Sequence, residues 1–147
     1  MSPVGAPRSC HHRVTIIIAV FALVGLSHVG SAQSTKKTEA GGLEGSWSGG
    51  GIVSFASGRE RASCRAHYRR AGKSGYTVSA TCATASGRAA QTASLRQVGE
   101  NSYSGSFYNS EYSISGVIHV VVHGANQTVR LNSDSGSALL NLSRSGR

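Results

Sequence analysis

From Gly45 onward, apolar and polar residues alternate in short runs, and turn-forming residues separate the runs. A period of two is the pattern of strands with one buried face. The stretch 59–83 shows it most clearly. Ala62, Cys64, Ala66 and Tyr68 share one parity, and Tyr76, Val78, Ala80 and Cys82 share another. Between them lies Gly72-Lys73-Ser74-Gly75, a turn sequence. Pairing residues equidistant from Lys73 sets Tyr68 opposite Val78, Ala66 opposite Ala80 and Cys64 opposite Cys82. Directly opposed cysteines on one face of an antiparallel pair lie close enough for a disulfide.

The same reading extends over the rest of the chain. Turns are expected near Ser57 and Gly58, Ser86 and Gly87, Gly99 to Ser102, Asn109 and Ser110, Gly124 to Gln127, and Ser133 to Gly136. With the turn at Lys73 they divide residues 45–147 into eight strands. Trp47, Val53 and Phe55 share the inner face of the first strand with Gly49 and Gly51, and Gly49-Gly50-Gly51 predicts a bulge or a close backbone approach. The fourth strand, 88–98, is ambiguous. The fifth offers Tyr103 and Phe107. The sixth offers Tyr112, Ile114, Ile118, Val120 and Val122, the seventh Val129 and Leu131, and the eighth Ala138, Leu140 and Leu142. Short connections throughout predict an all-β, eight-stranded antiparallel up-and-down barrel, with a two-sheet β-sandwich as the alternative.

Residues 1–32 have the layout of a secretory signal peptide. A basic head (Arg8, His11, His12, Arg13) precedes the apolar run VTIIIAVFALVGL, and Gly30-Ser31-Ala32 supplies a small-residue cleavage site. The run is shorter than the ~18–20 apolar residues of a spanning helix, so no transmembrane span is expected in the mature chain. Residues 33–44 are polar and aperiodic, which predicts a flexible N-terminal arm. Cleavage would remove Cys10 and leave Cys64 and Cys82, an even pair suited to an oxidising compartment. It would also remove two cationic residues and no acid, lowering the formal charge from +9 to about +7. The expected address is the bacterial periplasm or exterior. In a eukaryotic secretory route Asn126 and Asn141 would sit in glycan-acceptor sequons.

That charge is unevenly spread. Arg59, Arg61, Arg65 and Arg69 share the outward parity of the second strand, with Arg70 and Lys73 at the adjoining turn. An arginine at bilayer mid-depth costs roughly 2–4 kcal/mol, so this strand is a poor lipid-facing surface. The stripe is either a solubilising face or a site for anionic lipid, acidic polysaccharide or an acidic protein. It has few aromatics to stack on bases, so nucleic acid is not the expected partner. His119 and His123 share a parity but stand roughly 13 Å apart along a strand, too far to ligate one metal ion. The acids form no obvious pair, and no serine has a recognisable base partner. No catalytic residue, metal or cofactor is expected. Trp47, Phe55, Tyr68, Tyr76, Tyr103 and Phe107 are candidate cavity residues, because small barrels either fill their centre or hold one small ligand.

The Gly45-Ser46-Trp47 opening of the first strand resembles that of lipocalin- and avidin-like (calycin) barrels. With one disulfide and the closing Leu140-Asn141-Leu142-Ser143-Arg144, the chain is also similar to the small periplasmic inhibitors of secreted bacterial metalloproteases. That resemblance implies an eight-stranded barrel and a role for residues 33–44 as an arm entering a protease cleft. The chain departs from the family in having a single tryptophan, so only the architecture is carried over. Two functions are expected. One is a monomeric, exported, non-enzymatic barrel that binds a small ligand or an anionic envelope component. The other is a metalloprotease inhibitor acting through its arm.

Overall fold

The computed structural model describes residues 42–145, so the leader and most of the arm lie outside the described residues. Eight antiparallel strands follow one another: β1 (Gly45–Phe55), β2 (Gly58–Ala71), β3 (Gly75–Ala83), β4 (Arg88–Gly99), β5 (Ser102–Asn109), β6 (Ile114–His123), β7 (Asn126–Ser133) and β8 (Gly136–Arg144). Each pairs with the next, and β1 also pairs with β8, which closes the sheet into a barrel. The sandwich alternative is excluded by that last ladder. Closure also leaves no strand edge unpaired. Among the described residues no helix is long and apolar enough to cross a membrane.

The β2–β3 register is the one expected from symmetry about Lys73: Tyr68 faces Val78, Ala66 faces Ala80 and Cys64 faces Cys82. The two cysteines form a disulfide with their Cα atoms 4.1 Å apart. Inward residues alternate with outward ones on every strand, and the inward set makes one apolar core. The ambiguity of β4 resolves in favour of Leu95, which is buried, and the β4–β5 register shifts between Gln97 and Gly99. That shift leaves Val98 exposed. Gly51 serves the close approach expected of the glycine triplet: a Cβ there would overlap the carbonyl oxygen of Leu139 on β8.

One expected strand position is corrected. Tyr112 does not belong to the inner face of β6. It lies in the β5–β6 turn, 57% exposed, and β6 begins at Ile114. Two features hold the turn in place of further strand. The Asn109 Oδ1 accepts a hydrogen bond from the Tyr112 N–H at 3.1 Å, and Ser113 adopts φ 53°. A side-chain amide bonding the backbone a few residues on is a turn device that competes with extended pairing.

Candidate functional site

The barrel has two unlike ends. At one end lie the N-terminus of β1, the C-terminus of β8 and the turns after β2, β4 and β6. Trp47 is wholly buried there, edge-on to Tyr68 with ring centroids 6.5 Å apart. Arg144, opposite Trp47 in the β1–β8 ladder, lays its guanidinium over the indole at 4.5 Å. The same guanidinium donates to the carbonyls of Glu44 (2.8 Å) and Gly42. The Trp47 Nε1–H donates to the Leu43 carbonyl at 2.9 Å, and the Leu43 side chain is completely buried. Residues 42–44, the end of the expected arm, are thus bound into the barrel as a plug. Glu44 adds an exposed ion pair to Arg70 at 3.9 Å, and Arg70 covers the Tyr76 ring at 5.1 Å. Tyr76 in turn packs edge-on against Tyr103 at 5.3 Å.

Polar groups in this sealed end carry the cost of their burial. Gln127 is 1% exposed; its Nε2 donates to the Tyr68 hydroxyl at 3.1 Å, while its Oε1 has no partner among the described residues. Burial pushes the Tyr68 phenol up to about 12, against a smaller opposing effect of the Gln127 hydrogen bond. Burial likewise raises the Tyr103 phenol, aided by its neighbour Tyr76.

The opposite end is hollow. A cavity of about 520 Å³ opens among the turns after β1, β3, β5 and β7. Its walls are apolar: Val53, Phe55, Phe107, Ile114, Leu131 and Leu140, with Ala89 and Ala138 making room. Cys82, one half of the disulfide, also faces it. Two amides interrupt the apolar wall, Gln91 on β4 and its ladder partner Asn109 on β5. The mouth is lined with hydroxyls and charge, among them Ser57, Thr84, Ser86, Ser135, Glu60 and Arg88.

Glu60 ties two rims of the mouth together. It points inward from β2, and the Ser86 hydroxyl lies 2.6 Å from both carboxylate oxygens, with the Ser86 N–H donating at 3.2 Å. The Ser86 hydroxyl, then the Thr84 hydroxyl, then the Ser86 N–H hold this carboxyl below the usual range. On the other rim Glu111 accepts from the Ala90 N–H at 3.0 Å.

The candidate residues therefore separate. Of the six proposed for a cavity, Phe55 and Phe107 line it, whereas Trp47, Tyr68, Tyr76 and Tyr103 form the sealed end. Arg59, Arg61, Arg65 and Arg69 are exposed on the outside of β2. Arg70 has the inward parity of that strand, at its end, and is engaged by Glu44, Tyr76 and the Lys73 carbonyl. Lys73 is exposed at the tip of the β2–β3 turn. Sequence reasoning passed over Leu43, Glu60, Gln91, Asn109, Gln127 and Arg144. The signal for most of them was parity: Glu60 is in step with Ala62, Asn109 with Phe107, Gln127 with Val129 and Arg144 with Leu142.

No protein-family model matches the chain, and no curated protein matches its sequence significantly. Among solved structures it is similar to the redesigned β-barrel mFAP1 bound to DFHBI, with a TM-score of 0.59 and 11% identity over 70% of this chain and 94% of that one. It is similar also to the redesigned barrel mFAP0 bound to DFHBI, with a TM-score of 0.59 and 12% identity over 69% of this chain and 98% of that one. A de novo designed fluorescence-activating β-barrel gives a TM-score of 0.56 and 12% identity over 70% and 94% of the two chains. At these identities the likeness is one of fold, and the fold is a closed β-barrel.

Proposed function

We propose that this protein is an exported, non-enzymatic binding barrel that holds one small, largely apolar molecule in the cavity at its open end. The observation that carries the reading is the cavity itself, about 520 Å³ with apolar walls, two amides set into them and a polar mouth. Ligand sites commonly have ~300–1,000 Å³ of such space, mostly apolar with a few placed polar groups. The occupant's apolar body would lie against Phe107, Leu131 and Leu140, with its polar end toward Gln91, Asn109 and the hydroxyls of the rim. Designed barrels of the same fold bound to DFHBI support the idea that this architecture can hold a small molecule. Binding is favoured over catalysis because the described lining includes no histidine, and the Glu60 carboxylate is already taken by Ser86. The disulfide supports export to an oxidising compartment such as the bacterial periplasm. Protease inhibition through residues 33–44 has less support, because Leu43 and Glu44 are committed to the sealed end.

Native mass spectrometry of the mature chain purified from its host is expected to show a retained mass of a few hundred daltons. Titration with an apolar fluorescent naphthylamine should show binding at one site. Ala89→Trp with Ala138→Trp would fill the cavity and weaken that binding by about tenfold or more, with the far-ultraviolet spectrum of the barrel kept. A wild-type chain that binds no apolar probe and retains no ligand, or a filled variant that binds as well as the wild type, would refute the proposal.

A further inference from the structure

A second surface lies on the outside of the wall and shares no residue with the cavity. The five acids among the described residues are Glu44, Glu60, Glu100, Glu111 and Asp134. Four lie before β1 or in turns, and Glu60 points inward. No strand therefore presents an acid outward among the described residues. On that acid-free wall, where Arg96 of β4 and Arg130 of β7 are single exposed arginines, β2 carries Arg59, Arg61, Arg65 and Arg69, all exposed. The ion pair among the described residues, Arg70 to Glu44, involves none of these four. At ~3.3 Å per residue the row runs roughly 33 Å, with roughly 13 Å from Arg61 to Arg65 and again to Arg69.

What flanks the row selects among anions. Arg65 lies between Ser48 on β1 and Thr81 on β3, and Arg69 faces Thr77. His67, between them, is bonded through Nδ1 to the Ser46 hydroxyl at 3.1 Å. Ile52, opposite Arg61 and partly buried, is the one large aliphatic beside the row. A membrane-docking face would need bulky apolar groups to enter the acyl region, and a nucleic-acid face would need aromatics to stack on bases. Hydroxyls alternating with guanidinium groups suit a hydroxyl-rich chain with carboxylates or sulfates at intervals, since guanidinium binds such oxyanions in pairs of hydrogen bonds.

We infer that the outer face of β2 is a docking track for an acidic polysaccharide, with Arg61, Arg65 and Arg69 as its three anion contacts. The mature chain should be retained by immobilised heparin and should bind polygalacturonate, with an affinity that falls steeply and log-linearly with salt. Arg61→Ser, Arg65→Ser and Arg69→Ser together should weaken binding by about tenfold or more and flatten the salt dependence. Arg65→Ser alone should give an intermediate loss. Arg130→Ser on β7, and the affinity of the cavity for its apolar probe, should be unaffected. The inference fails if neither polysaccharide binds at low salt or if the triple variant binds as the wild type does. It also fails if phosphatidylglycerol vesicles or a single-stranded oligonucleotide are bound more tightly than either polysaccharide.

Discussion

Tyr68 shows how one side chain can record the cost of a sealed interior. Its phenol is held near 12, against about 10 in an unfolded chain. Between those values the unfolded chain has released a proton that the folded one keeps, so stability falls as pH rises. The contribution is complete below pH ~10 and is lost as pH climbs through about 12. Urea midpoints measured across that window should fall in the wild type and less so in Tyr68→Phe. In the phenolate absorbance titration, the step near pH 12 should vanish in the same variant. Gln127→Leu removes the hydrogen bond that opposes the shift, so the step should move higher still.

At the scale of elements, the mouth depends on links between neighbouring turns. Glu60 fastens the start of β2 to the β3–β4 turn through Ser86. Because its folded carboxyl is depressed, the link is present above the ordinary carboxyl range and is lost as pH falls through the lower, folded value. The Ser86 amide should exchange with deuterium faster in Glu60→Gln at neutral pH than in the wild type. Compared at the same pH, the difference between the wild type and the variant should close as the carboxyl protonates on acidification. Equal protection in the two proteins at neutral pH would show that the link does not hold the turn.

Strand order and the register around the cysteines were legible in the sequence, because alternation and turn residues coincide on β2, β3, β7 and β8. Depth along the barrel was not. Trp47 and Phe55 share a face of β1, yet eight residues of strand place them roughly 26 Å apart, one in the seal and one at the mouth. Parity says which wall a side chain faces and nothing about which end it serves. Tyr112 was misplaced for a related reason: it has the same parity as Ile114, and the Asn109 side chain that turns the backbone leaves no trace in the hydrophobic pattern.

For the molecule as a whole, the disulfide staples two neighbouring strands, β2 and β3, on the inner wall of a small barrel that is partly empty. Joining residues 18 apart, it should contribute about 3 kcal/mol by restricting the unfolded chain. Cys64→Ala with Cys82→Ala should lower the unfolding free energy measured by denaturant titration by that amount, and reduction of the wild type should do the same. A reduced chain as stable as the oxidised one would assign the barrel's stability to its sealed end and its ladders alone.

The seal also brings the two extremities of the described chain side by side, since Arg144 reaches Gly42 and the Ser145 N–H bonds the Ser46 carbonyl. With every strand paired on both sides, the barrel is in effect a ring of eight staves, and where the polypeptide begins is an accident of the cut. A short splice between residues 145 and 42, with the ring reopened at Asp134 and Ser135, would give a circular permutant in which the same wall is read from a different starting stave.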